Sequence, residues 1–228
     1  MIPDPIPVRL PNPNKILETL LVKSGYQSTA SAGKTIPGEA ENAVKRLFKH
    51  VTPESIYRIS GLESYEKGGV QARGLCIRSR KISRLVSLLD SPEMICSFAV
   101  TLGPDIDELI NRAMKRSITQ SFFIDLAGSI LTERLADQAE KHIHSLMAEN
   151  NLEVTARFSP GYCDWKAGSG QEALFDFLDP GKIGIEKLPS GMMVPQKSVT
   201  AVIIAARKAT IKTPCPGCLR SACDHRRS

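Results

Sequence analysis

The stretch Glu93-Met-Ile-Cys-Ser-Phe-Ala-Val-Thr-Leu-Gly-Pro-Asp-Ile-Asp-Glu-Leu-Ile110 decides the fold class. Its first half, Glu93 to Thr101, is apolar and largely β-forming, the composition of a strand buried on both faces. Leu102-Gly103-Pro104 interrupts it with a turn, and Asp105 stands near the start of a helix. A strand, a sharp turn and a helix in direct succession place the chain among mixed α/β architectures.

Upstream of this unit, Asn14 to Lys23 reads as a short helix with Ile16, Leu17, Leu20 and Leu21 on one side, stopped at Ser24-Gly25. A second helix is expected near Glu39 to His50, where Ala40, Ala43, Val44, Leu47 and Phe48 form an apolar stripe. The segments SIYRISGL from Ser55 and VQARGLCI from Val70 read as two strands joined by a turn at Glu63 to Gly69, followed by a helix over Arg80 to Leu89. Downstream, Ser117 to Asn150 reads as one long helix, with Gly128 as a close-packing point. A strand near Val154, a glycine-bearing loop, a helix at Gln171 to Leu178, and two strands joined through Ser190-Gly191 complete the chain. The expected fold is α+β, with helices packed on a mainly antiparallel sheet. Three parts are expected: a proline-rich arm with a short helix (1–38), the main domain (39–210) and a Cys/His-containing tail (211–228).

The 228 residues, 42% hydrophobic and 24% charged, suffice for one sizeable core. Aromatics make up 5% with a single Trp165, too few for stacking single-stranded nucleic acid. The net charge of +6 favours acidic partners. Arg73, Arg78, Arg80, Lys81 and Arg84, then Arg112, Lys115 and Arg116, then Arg220, Arg226 and Arg227 suit either solvated faces or an acidic protein partner; no nucleic-acid motif accompanies them. The opening Met1 to Pro13 holds five prolines and no apolar signal region, and the apolar run Ala201 to Ala206 is far shorter than the roughly 18 residues a bilayer requires. A cytoplasmic chain that is not membrane-bound is expected.

The segment richest in chemistry is Arg157-Phe-Ser-Pro-Gly-Tyr162. Arg157 offers a permanent cation able to grip a carboxylate bidentately, Pro160-Gly161 lets the backbone approach a ligand, and Tyr162 adds a ring face and a hydrogen-bonding tip. A plain Pro-Gly turn after a strand has the same composition. This loop resembles the S-adenosylmethionine loop in the reactivation domain of cobalamin-dependent methionine synthase, with its Arg, three intervening residues and Gly-Tyr. The resemblance takes in Ser55 to Leu62, the Leu102-Gly-Pro turn, Leu126 to Ile143, Ile183-Gly-Ile185 and Met192-Met-Val-Pro-Gln-Lys-Ser-Val199, so that roughly Glu39 to Ala206 is covered.

The resemblance implies a reactivation subunit. It would bind S-adenosylmethionine as methyl donor for cob(II)alamin carried by a partner methionine synthase or another corrinoid protein, with the electron coming from a flavodoxin-like or ferredoxin-like donor. Arg157 would take the ligand's carboxylate, and Asp137, with Glu133 one turn earlier, its ammonium; both acids equally suit a solvated helix face. The chain has no Asp-x-His-x-x-Gly corrinoid signature, so the cobalamin must come from elsewhere. Departures are CDWKAGSGQEALF after Tyr162 and an unmatched proline arm, so adenosyl contacts do not carry over. A scaffold that contacts the corrinoid protein without S-adenosylmethionine is the other reading. Lys197 and Ser198 either face the corrinoid or serve solvation and packing.

The tail adds Cys215, Cys218, Cys223 and His225 within eleven residues. Four such ligands suit zinc, and thiolates suit an iron–sulfur cluster, although the spacing after Cys218 matches no standard zinc knuckle. Redox-active thiols and an unliganded tail remain alternatives. Cys76 and Cys96, in apolar strand-like runs, read as small core residues, and Cys163 beside Tyr162 as a nucleophile or ligand if exposed.

Overall fold

The structure, a computed structural model, describes residues 3–26, 35–66, 68–213 and 215. Its elements are β1 (Asp4–Pro5), α1 (Pro13–Lys23), α2 (Thr35–His50), β2 (Glu54–Ser64), β3 (Val70–Ala72), β4 (Leu75–Ile77), α3 (Arg80–Val86), β5 (Asp90–Thr101), α4 (Asp105–Met114), α5 (Ile118–Ala148), β6 (Glu153–Val154), α6 (Ala167–Leu178), β7 (Glu186–Lys187), β8 (Met193–Val194) and β9 (Ser198–Lys208). A short 3₁₀ turn, Pro180–Ile183, follows α6. The fold is α+β. The main sheet runs β4-β3-β2-β5-β9-β6, with β1 also on β2, and every pairing is antiparallel.

β5 and β9 are paired along almost their full lengths, from Asp90 opposite Lys208 to Thr101 opposite Ser198. Side chains alternate across a strand, and here both faces are covered. Cys96, Phe98 and Val100 of β5, with Ala201, Ile203 and Ala205 of β9, face a layer formed by α1, α2, α4 and α5. Ile95 of β5 and Val202, Ile204 and Ala206 of β9 face the opposite layer, where α3, α6, Phe158 and Trp165 pack. Burial on both sides explains why these strands read as continuous apolar runs.

Several expected boundaries move for physical reasons. VQARGLCI is a hairpin of two strands rather than one, because Arg73-Gly74 reverses the chain with Gly74 at φ +85°. In β4, Leu75 and Ile77 point inward, which turns Cys76 outward; the expected core position for Cys76 is thereby corrected, while Cys96 is fully buried as expected. Helix α2 begins at Thr35, since Pro37 is tolerated in a first turn. Helix α6 begins at Ala167, well before Gln171, and includes two glycines. The segment after Gly184 yields a two-stranded β7–β8 pair around Gly191 and then a separate third strand, β9, in the middle of the main sheet. The N-terminal stretch packs on the common core through Ile6, Ile16, Leu20 and Leu21. Among the described residues no helix is long and apolar enough to cross a membrane.

The turn between β5 and α4 is tight. Gly103 has φ +92°, and a Cβ there would meet Thr52 Oγ1 and stand 2.9 Å from the Thr52 carbonyl oxygen. Thr52 in turn donates its N–H to the Leu102 carbonyl (2.9 Å), so the α2–β2 connection is pinned to this glycine. Gly103→Ala is expected to destabilise the fold by about 1–3 kcal/mol through left-handed strain and overpacking. At roughly 2–4 °C per kcal/mol for a chain of this size, a thermal melt resolves that loss.

Candidate functional site

The long helix α5 presents Asp125, Ser129, Glu133, Asp137 and Glu140 at successive helical turns, one stripe along its length. Two cations from elsewhere in the chain lie on that stripe. Near its beginning, Lys197 Nζ pairs with Asp125 Oδ1 at 2.7 Å and donates to Ser129 Oγ at 2.9 Å. Its aliphatic stem fills the space beside Gly128, which accounts for the glycine read as a close-packing point. Lys197 is thus an internal brace with a side chain only 11% exposed. Ser198 is also internal: it is buried and donates to the Pro195 carbonyl at 2.7 Å.

Further along α5 lies Arg157. It is 5% exposed, and its guanidinium bonds Glu133 Oε2 and Asp137 Oδ1, each at 2.8 Å, together with Glu140 Oε2. Glu140 also accepts the Arg157 backbone N–H at 3.0 Å. Burial works against the guanidinium cation, yet the Asp137 hydrogen bond and the charges of Glu140, Asp137 and Glu133 outweigh it and raise its pKa above the ordinary arginine value. Three carboxylates against one guanidinium leave a formal charge of −2. Arg134 adds only a distant contact to Asp137, at 3.9 Å on the surface. Burial holds the His144 imidazole below the usual histidine range, against the pull of Glu140 and with Lys212 reinforcing it, so that His144 does little to neutralise the excess.

The expected Arg157, Asp137 and Glu133 are therefore brought together, but in contact with one another. Glu140 is the member that sequence reasoning missed. The signal was present: it follows Asp137 by three positions and Glu133 by seven, the same helical face.

Beyond Arg157, Phe158 exchanges hydrogen bonds with Val202 of β9 in both directions at 2.8 Å, and the chain then leaves the sheet. On this side β6, Thr155 and Phe158 cover β9 from Ala206 to Val202, and from Ala201 back to Ser198 that edge has no strand partner among the described residues. The loop that departs here holds Pro160, Gly161 and Tyr162. Gly161 takes φ +97° and donates its N–H to the Trp165 carbonyl at 2.8 Å, while Trp165 N–H returns to the Tyr162 carbonyl at 3.0 Å. Gly161 is exposed, and Pro160 and Tyr162 are half-buried.

Two devices hold this loop. Gly170, in the first turns of α6, has no room for a Cβ: it would stand 2.8 Å from Trp165 Nε1 and 2.9 Å from Pro160 Cβ. Asp164 reaches across to the start of α3, accepting from Ser79 Oγ and from the N–H groups of Arg80 (3.0 Å) and Lys81 (3.3 Å). Cys163 in the same loop is exposed, at φ +58°. Of the tail ligands, Cys215 is described and half-buried, whereas Cys218, Cys223 and His225 lie outside the described residues. Among the described residues no group of three or more His, Cys, Asp or Glu side chains is arranged to hold a metal ion.

The sequence matches no family model, and no curated protein matches it. Among solved structures, the fold is similar to the crystal structure of the MetH reactivation domain bound to AdoHcy. The TM-score is 0.53 and the identity 13%, over 93% of this chain and 82% of that one. The likeness is one of fold, and it extends beyond the stretch over which the sequence motifs run.

Burial opposes ionisation of Asp164, but the hydrogen bonds from Ser79, Lys81 and Arg80 prevail and hold its carboxyl below the usual value of 3.8. A lowered folded-state pKa contributes stability that is present above the unfolded value and lost as pH falls through the folded one. Wild type is accordingly expected to be more stable than Asp164→Asn at neutral pH, with the difference closing as pH drops below about 4. Denaturant melts of both proteins across pH 2–7 check this; a gap that stays constant with pH would contradict it.

Proposed function

We propose that this chain is an accessory module for the reductive reactivation of a corrinoid-dependent methyltransferase, methionine synthase in the first instance, and that it binds S-adenosylmethionine as methyl donor. The observation that supports this reading is the Arg-x-x-x-Gly-Tyr loop, seated against three carboxylates of α5, in a fold like that of a reactivation domain that binds AdoHcy.

The zwitterionic end of the ligand fits the charge balance. Its α-ammonium meets Glu133 and Asp137, whose side chains are 53% and 41% exposed and available to an incoming cation. Because both acids reach water, their pairs with Arg157 exchange for a ligand's charges more readily than a fully buried pair would. Glu140, at 17% exposed, stays on Arg157 and keeps the buried cation balanced while a ligand carboxylate takes the donors that Glu133 and Asp137 give up. Gly161 lets the ligand approach the loop backbone, and the half-buried Tyr162 supplies a ring wall. The excess negative charge also favours the sulfonium form over the neutral thioether product, which helps product leave.

The chain's task is then orientation: a fixed ligand presents its methyl carbon to the partner's corrinoid, which supplies the chemistry of methyl acceptance once it has gained one electron. An acidic flavodoxin-like or ferredoxin-like donor suits the net charge of +6. A scaffold that contacts the corrinoid protein without binding S-adenosylmethionine is favoured by one observation, the engagement of Arg157 by three carboxylates already in place.

Calorimetry separates the two. On the first reading S-adenosylmethionine binds the wild-type chain more tightly than S-adenosylhomocysteine, and the double variant Glu133→Gln/Asp137→Asn loses about tenfold in affinity, about 1.4 kcal/mol, at an unchanged melting temperature. Wild-type protein that takes up neither ligand sinks it and leaves the scaffold.

A further inference from the structure

Arg80 and Arg84 of α3 take no part in that site, and they line a separate cleft. A cleft of about 540 Å³ lies between α3 and the connection from β2 to β3, walled by Tyr65 and Gly68 on one side and by Arg80, Ser83, Arg84 and Ser87 on the other. The four α3 residues share one face of the helix. The opposite face, Ile82, Leu85 and Val86, is buried in the core, so the helix cannot roll to hide its cations.

Two facts give this cleft its character. Among the described residues no carboxylate lines it. Both arginines are exposed, and neither has an ion-pair partner among the described residues, unlike Arg112, Arg157 and Arg207, which are all paired. The wall is also fixed in place. Ser83 Oγ donates to the Glu66 carbonyl at 2.6 Å, tying the connection to the helix, and Ser87 Oγ donates to the Arg84 carbonyl at 2.8 Å. Asp164 holds the Arg80 backbone N–H. With the serine hydrogens committed inside the protein, the donors left to a ligand among the described residues are the two guanidinium forks and the hydroxyl of Tyr65, a residue 39% exposed.

Guanidinium forks one helical turn apart, about 5–6 Å between their Cβ atoms, match adjacent phosphoryl groups, each of which accepts two parallel hydrogen bonds from a fork. A compact ammonium would not offer this planarity. The volume lies in the roughly 300–1,000 Å³ range of small-molecule sites. We infer that this cleft binds a diphosphate group, free or as the ester of a small molecule, through Arg80 and Arg84 with the Tyr65 hydroxyl as a third donor. The inference is independent of S-adenosylmethionine binding.

The test is titration of the full chain with inorganic pyrophosphate and with ADP at about 150 mM KCl, a salt level that screens diffuse surface charge. Saturable one-to-one binding is expected. Arg80→Ala and Arg84→Ala should each weaken it at least fivefold and the double variant abolish it, with melting temperatures unchanged because both side chains are exposed. Tighter binding of ADP than of pyrophosphate assigns the ester, and equal binding assigns the free diphosphate. Absence of saturable binding by wild type overturns the inference, as does undiminished binding by the double variant. So does displacement of pyrophosphate by polyglutamate at equal charge concentration, which would mark the cleft as a docking place for an acidic polypeptide.

Discussion

The antiparallel pair β5–β9 is the constraint on which the other elements depend. Its side chains are apolar on both faces, so the sheet is stable only if each face receives its own layer. The helices α1, α2, α4 and α5 form one layer; α3, α6 and the loop around Trp165 form the other. The two layers approach each other along the side of β9 that β6 covers only in part. The Arg157 cluster and the Gly161 loop sit on this seam. Their location follows from how the core is closed.

At the seam, electrostatics sets what the place can do. A buried guanidinium requires compensation, since an unpaired charge away from water costs several kcal/mol. One carboxylate, Glu140, is sheltered enough to provide it; Glu133 and Asp137 are half open to water and add little apiece to stability. Three acids on one cation exceed what folding needs. The surplus, on Glu133 and Asp137, is exposed to water, which separates this arrangement from an ordinary buried ion pair.

Much of this was legible in the sequence wherever the signal was local. The β5–turn–α4 unit and the long helix α5 could be read from spacing and composition. What escaped was either contradicted locally or carried by distance in the chain. Gly168 and Gly170 fall in the stretch read as a glycine-bearing loop, yet both are inside α6, and at Gly170 only a hydrogen fits between the helix and Trp165 with Pro160. Arg73-Gly74 sits inside an apolar run and splits it into two strands. β9, read as half of a terminal hairpin, became a central strand because its apolar run needs cover on both faces. The engagement of Arg157 by α5 links residues 17 to 24 positions apart, beyond any periodicity.

Asp164 links the Arg157 seam to the cleft beside α3, since its loop borders the seam and its carboxylate caps the helix that bears Arg80 and Arg84. Such a junction braces both. With Gly170 packed on Pro160 and Trp165, the loop is anchored at two points. A brace transmits position, whereas energetic coupling between sites requires an element with two arrangements that each ligand biases differently. Capping by Asp164 is satisfied by one arrangement, in which its two carboxylate oxygens accept hydrogen bonds from the Ser79 hydroxyl and from the N–H groups of Arg80 and Lys81. The physical role of the junction is therefore to hold the carboxylate-rich Arg157 cluster and the basic face of α3 in a fixed relation.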